Sequence, residues 1–155
     1  MTDAAAYIVT ARKLLTGTPT ETDVRRSIST AYYALFHHAC IQFSAIVLRP
    51  GSGTYLRAWS QAYRYLDHGP ARQRCIEACR KERNFSAGIV VFAEAFIDLQ
   101  QRRNAADYDP IPVFTVVDAN ALIVSAEAAL AAFDVEPVEA QRAFVVFLAL
   151  RPKNR

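Results

Sequence analysis

Apolar residues recur along this chain at steps of three and four, and nowhere does the strict alternation of a half-buried strand appear, so the pattern predicts helix after helix. The first helix is expected from about Asp3 to Leu15, stopped by Gly17 and Pro19. Thr20 followed by Asp23 has the form of a capping box and opens a long second helix to about Leu48, where Arg49-Pro50-Gly51-Ser52-Gly53 reads as a loop. In the final half of that helix only Gln42 and Ser44 are conventionally surface-like beside the histidines, which makes it the central helix of a bundle. A third helix is expected over about Thr54 to Leu66, ending at Asp67-His68-Gly69, and Pro70 is placed to be the first residue of a fourth that runs to about Arg83. The fifth spans Gly88 to Asp109 and stops at Pro110 and Pro112. Thr115 with Asp118 starts a sixth, with a seam of Ala119, Ile123, Ala126, Leu130 and Phe133, and Pro137 opens a last amphipathic helix through Phe144, Phe147 and Leu148. Phe144, Phe147 and Leu150 fall on more than one side of it, which leaves open packing against its own bundle or a second copy. The chain reads as one all-α domain over residues 1–155, an up-and-down helical bundle.

The fifth helix breaks its own pattern. Its apolar stripe of Ile89, Phe92, Phe96 and Leu99 continues directly onto Arg103 and Asp107, while Glu94, Asp98, Gln101 and Arg102 occupy the opposite face. Two charges placed where the stripe should be apolar are held in a hydrogen-bonded network, line a wet cleft, or do chemistry. The second helix carries a matching polar seam, because helical spacing in Arg25–His38 sets Arg26, Ser29, Tyr33, His37 and Cys40 along one stripe. Two readings stand side by side. In one, Ser29 and Tyr33 bond neighbouring helices, His37 is a satisfied core histidine, and Arg103 with Asp107 is a structural ion pair. In the other, these groups meet Arg103, Asn104 and Asp107 across a shared cleft.

Composition adds limits. With 155 residues and 52% hydrophobic content the chain can bury one proper core. Lys and Arg number 18 against 15 Asp and Glu, and Lys stands only at positions 13, 81 and 153; this Arg-rich excess permits phosphate recognition without demanding it. Aromatics interleave with arginines around Tyr55, Arg57, Trp59, Tyr63, Arg64 and Tyr65, and Arg72, Arg74, Arg80, Lys81 and Arg83 follow; such a pattern is either core aromatics beside a solvated face or a stacking platform for single strands. Cys40, Cys75 and Cys79 are an odd set and read as small core residues, with no metal or other cofactor expected. Met-Thr-Asp-Ala-Ala-Ala at the N-terminus has no basic region before an apolar run, and no stretch approaches the roughly 20 uninterrupted apolar residues of a membrane span, so a cytoplasmic protein without a membrane partner is expected. No Gly-rich phosphate loop, nucleophile elbow or metal-binding carboxylate cluster points to a kinase, hydrolase or metalloenzyme.

The early RRSISTAYYALFH segment, paired with LQQRRNAADYDP on a later long helix, resembles the higher eukaryote and prokaryote nucleotide-binding (HEPN) superfamily. The likeness is nearest to the bacterial branch in which Ala-Asp-Tyr follows the Arg, and it runs from about the first helix to Phe133. It implies a HEPN-type bundle with additional C-terminal helices that dimerises with Arg-containing segments facing each other. Many members are metal-independent ribonucleases, some acting as toxins beside a small nucleotidyltransferase partner. In these, an Arg and an adjacent polar residue hold RNA phosphate, and a following His assists proton transfer. Arg103 and Asn104 match the opening of that motif, whereas Tyr108 stands where the histidine would be. With an ordinary pKa near 10, a tyrosine is poorly suited to that role, and His37 is the candidate to supply an imidazole from the neighbouring helix. The resemblance also makes Tyr108 the candidate for modification by a nucleotidyltransferase. Three expectations follow: a nucleic-acid-associated protein of toxin or defence type with Arg103 and Asn104 in its site, a catalytically inert homodimeric interaction module, or a bundle whose Arg103 clamps a small anion.

Overall fold

The computed structural model describes residues 3–48 and 55–150, all helices and connections with no strand among them. The helices are α1 (Ala4–Lys13), α2 (Glu21–Val47), α3 (Leu56–Tyr63), α4 (His68–Ala78), α5 (Ala87–Tyr108), α6 (Val116–Asp134) and α7 (Val138–Ala149). The 49–53 loop, the Thr54 start of the third helix and the basic tail at Arg151, Lys153 and Arg155 lie outside the described residues.

Both capping boxes form. Thr20 and Thr115 each accept the backbone N–H three residues on, from Asp23 and Asp118, and each aspartate side chain accepts the cap N–H in return. Gly17 ends the α1 turn in the left-handed region at φ 70°, where a Cβ would be strained. The long α2 is the central helix, packed by α1, α3, α5, α6 and α7. Its Tyr32 and Leu35, with Phe92, Phe96 and Leu99 of α5, Ile123 and Phe133 of α6 and Phe144 of α7, form the main core. Each such side chain removed from water contributes about 1.5–3 kcal/mol before entropy is charged against it.

Several boundaries differ from the sequence expectation. The third helix stops at Tyr63, and α4 starts at His68 with Asp67 as its cap; Pro70 fits inside this first turn because its missing N–H has no intrahelical partner there. The fourth helix ends at Ala78, and Lys81–Arg83 form a separate 3-10 turn closed by Asn84 at φ 54°. In α6 the buried seam runs through Ala129 while Leu130 is half-buried. Ser44 is fully buried, its hydroxyl donating to the Ile41 carbonyl.

The last helix turns inward. Phe144 is fully buried, with its ring centroid 5.8 Å from Phe92 and 5.7 Å from Phe85, and Phe147 lies beneath the Arg74 guanidinium at 3.5 Å. Helix α7 therefore closes its own bundle, and only Leu150 of the three apolar residues is exposed. Helix α6 is long and apolar enough by length and composition to cross a membrane, with mean hydropathy 1.6. Its Ala119, Ile123, Ala126, Ala129 and Phe133 are buried.

The α5–α6–α7 junction supplies a stability test. Glu136 accepts the Gly88 N–H at 2.7 Å and does for the start of α5 what Ser86 does not. A Cβ on Gly88 would lie well inside contact distance of the Ala132 carbonyl oxygen and the same Glu136 carboxylate, whereas one on Gly69 would meet nothing within 4 Å. Gly88→Ala is expected to cost about 1–3 kcal/mol in urea unfolding, and Gly69→Ala to be neutral or stabilising by up to about 1 kcal/mol.

A cationic cleft at the end of the fifth helix

Helices α2 and α5 pack so that their polar seams meet at the C-terminal end of α5. The result is an open cleft of about 460 Å³ lined by Thr22, Arg25, Arg26, Tyr33, Arg103, Ala106, Asp107 and Tyr108.

Arg103 is held in it by two hydrogen bonds and an ion pair. Its Nη2 donates to the Tyr33 hydroxyl at 2.8 Å and its Nη1 to Asn104 Oδ1 at 3.0 Å. Its Nε lies 3.0 Å from Asp107 Oδ2, an ion pair by distance, although that N–H is not directed at any acceptor and so makes no well-formed hydrogen bond. The pair is mainly Coulombic, since charge attraction needs no alignment while a hydrogen bond does. Both side chains are only 13% exposed. The guanidinium carbon also sits 5.5, 5.9 and 5.4 Å from the rings of Tyr33, Tyr32 and Tyr108. Burial works against its charge, but the Tyr33 hydrogen bond, then the Tyr33 hydroxyl, Asp107 and Tyr108 outweigh it and hold the pKa above its ordinary value. Asp107 is fixed from the other side by the Ser29 hydroxyl, which donates to Oδ1.

The two adjacent arginines of α2 have different duties. Arg25, rather than Arg26, is the structural one: its Nη1 donates to the carbonyls of Ala106 at 3.0 Å and Asp109 at 2.8 Å, its Nη2 to Pro112 at 2.6 Å, and its Nε to Glu21 at 3.0 Å. A cation is thus placed over the orphan carbonyls that end α5, where helix dipole and hydrogen bonding both favour it. Arg26 is exposed at the cleft wall. Tyr108 is 74% exposed.

Of the residues singled out from the sequence, Arg26, Ser29, Tyr33, Arg103, Asn104, Asp107 and Tyr108 are brought together here. His37 does not line the cleft. Its Nδ1 is bonded to the Tyr63 hydroxyl, its ring stacks on Tyr7 at 4.7 Å, and it meets the Arg103 network by way of Tyr33, 5.8 Å away between ring centroids. Burial holds its pKa below the ordinary imidazole value. Around α3, Trp59 and Tyr63 are half-buried on one face and Arg57 and Arg64 exposed on the other, while Tyr55 and Tyr65 are exposed as well. Cys40 and Cys75 are buried in the core, and burial raises the Cys40 pKa to about 12.

Chemically, the cleft presents cations and hydrogen-bond donors suited to an anionic oxygen, with no imidazole lining it. In comparisons with known proteins, no family model, no curated protein and no solved structure matches the chain.

Proposed function

We propose that the chain is a HEPN-type module that binds RNA or nucleotide phosphate in the cleft around Arg26 and Arg103, with weak or absent metal-independent ribonuclease activity. The observation that carries this reading is the concentration of Arg25, Arg26 and Arg103 in one open cleft, where Asp107 is the only lining carboxylate and Glu21 pairs with Arg25 beside it. Arg26 contributes charge free to reach a phosphate, Arg103 a positioned guanidinium edge, and Tyr33 and Tyr108 the aromatic walls. Asn104 acts by orienting Arg103. Weak chemistry follows from the proton-transfer position, where Tyr108 replaces an imidazole and His37 is committed to Tyr63. A cytoplasmic toxin or defence component, acting as a homodimer or beside a small nucleotidyltransferase that modifies the exposed Tyr108, is the setting that the family resemblance implies.

The second reading, an inert interaction module in which Arg103 and Asp107 are structural, is favoured by one observation: every nitrogen of Arg103 already has a neighbour within the protomer. Binding of a fluorescent octauridylate separates the two. Arg26→Ala is expected to weaken it about threefold to tenfold at low salt and to lower the salt slope by about 0.7, the value for one lost single-strand phosphate contact. Arg57→Ala with Arg64→Ala on the outer face of α3 is expected to change it less, and equal effects of both replacements would remove the cleft as the binding site. Incubation of mixed-sequence RNA in chelator, beside Arg103→Ala, is expected to give little cleavage; efficient cleavage lost in Arg103→Ala would overturn the assignment of weak activity.

A further inference from the structure

The residue that sequence spacing did not single out is His68, at the first turn of α4. It touches Tyr32 and Tyr33, two of the three tyrosines over which the Arg103 guanidinium lies. Its Nδ1 is 2.7 Å from the Tyr32 hydroxyl, and its ring stands edge-on to Tyr33 at 6.0 Å between centroids. Gln100, three residues before Arg103 on α5, donates its side-chain N–H to the His68 backbone carbonyl at 2.8 Å, which pins the start of α4 to the Arg103 turn. On its remaining side the imidazole stacks on Phe36 at 3.9 Å.

We infer that His68 is the titrating imidazole of the Arg103 site, taking up a proton from solvent when an anion is held there, so that acidification tightens anion binding. This rests on the anion-binding reading of the cleft and adds its regulation by pH.

The electrostatics run in one direction. Burial, then the positive charge of Arg103, then His37 keep the His68 pKa below the ordinary imidazole value, with Asp67 opposing them. Facing the ring from other elements are Tyr32, Tyr33 and His37 of α2 and Arg103 of α5, and beyond His37 stand Tyr7 of α1 and Tyr63 of α3. Burial, outweighing the pull of Arg103, also pushes the Tyr32 phenol far above its ordinary pKa, so it stays protonated. Because the Tyr32 hydroxyl is paired with His68 Nδ1, it donates to that nitrogen and the neutral ring carries its proton on Nε2. A phosphate on Arg103 offsets the repulsion that keeps this ring neutral. Proton uptake then places hydrogens on both ring nitrogens, and the Tyr32 hydroxyl turns to accept from Nδ1 at the cost of its own donated bond. By linkage, an anion that raises the His68 pKa binds more tightly as pH falls through the imidazole range.

The probe is octauridylate, whose phosphodiesters keep their charge between pH 8 and pH 5.5, followed by anisotropy at constant ionic strength. The parent protein is expected to bind about threefold to tenfold more tightly at pH 5.5 than at pH 8. His68→Gln is expected to flatten that dependence, and His37→Gln to retain most of it. Independently of any variant, the His68 ring proton resonances of the parent protein are expected to titrate at higher pH with octauridylate bound than without. A flat affinity in the parent, a pH dependence retained in His68→Gln, or a His68 titration unmoved by the RNA would overturn the inference while leaving the cleft as a binding site. Binding indifferent to Arg103→Ala, or absent at every pH, would instead remove the anion-binding reading on which it rests.

Discussion

Arg25→Ala is expected to destabilise the fold by about 2–4 kcal/mol, measured by urea unfolding, a large effect for a residue beside the protein surface. The guanidinium satisfies carbonyls of Ala106, Asp109 and Pro112 at once, and the last two belong to the chain leaving α5. Removing it orphans these acceptors, takes a cation from a helix C-terminus, and uncovers Phe114, whose ring lies 5.4 Å from the guanidinium carbon. Arg25→Lys is expected to recover only part of the loss, because one ammonium cannot span acceptors that the planar fork reaches together. A loss below about 0.5 kcal/mol in Arg25→Ala would mean that water replaces the side chain and that the α5–α6 connection does not depend on it.

Asp107→Asn is expected to have two effects of opposite value. Stability should fall by about 1–2 kcal/mol, since the Arg103 ion pair and the charge-assisted bond from Ser29 are both weakened at a position only 13% exposed. Octauridylate affinity should rise about threefold to tenfold, because the only carboxylate among the cleft-lining residues is neutralised a few ångströms from the bound phosphate. If Arg103 and Asp107 were purely structural, the first effect would appear without the second. The pair of measurements thus separates a charge that tunes a site from one that only holds helices together.

The helical architecture was legible because its signals are local. Capping boxes at Thr20 and Thr115 and the α5 stripe from Ile89 to Asp107 require only neighbours within a few turns, and all appear in the structure. The start of α4 was misplaced because Pro is compatible with several first-turn positions, so it does not fix the boundary by itself. At the cleft, the meeting of Ser29, Tyr33, Arg103 and Asp107 followed from two polar seams on two apolar helices. The division of labour between Arg25 and Arg26 did not. Lying four and three residues before Ser29, they flank the same stripe, and only the loop carbonyls from Asp109 to Pro112 select Arg25 as the anchor. His68 was hidden for a related reason. Its place beside Tyr32 and Tyr33 depends on how α4 docks through Gln100, a contact across 32 residues that no periodicity carries.

The anion site itself is tested most directly by octauridylate binding to the parent protein and to Arg103→Ala between 50 and 200 mM salt, with helix content and unfolding midpoint measured on both. Salt-sensitive binding by the parent is expected, with a folded Arg103→Ala protein at least about tenfold weaker at low salt and a salt slope reduced by about 0.7. Equal affinity and equal slope in the two folded proteins would contradict it and leave the Arg103 and Asp107 pair as part of the scaffold.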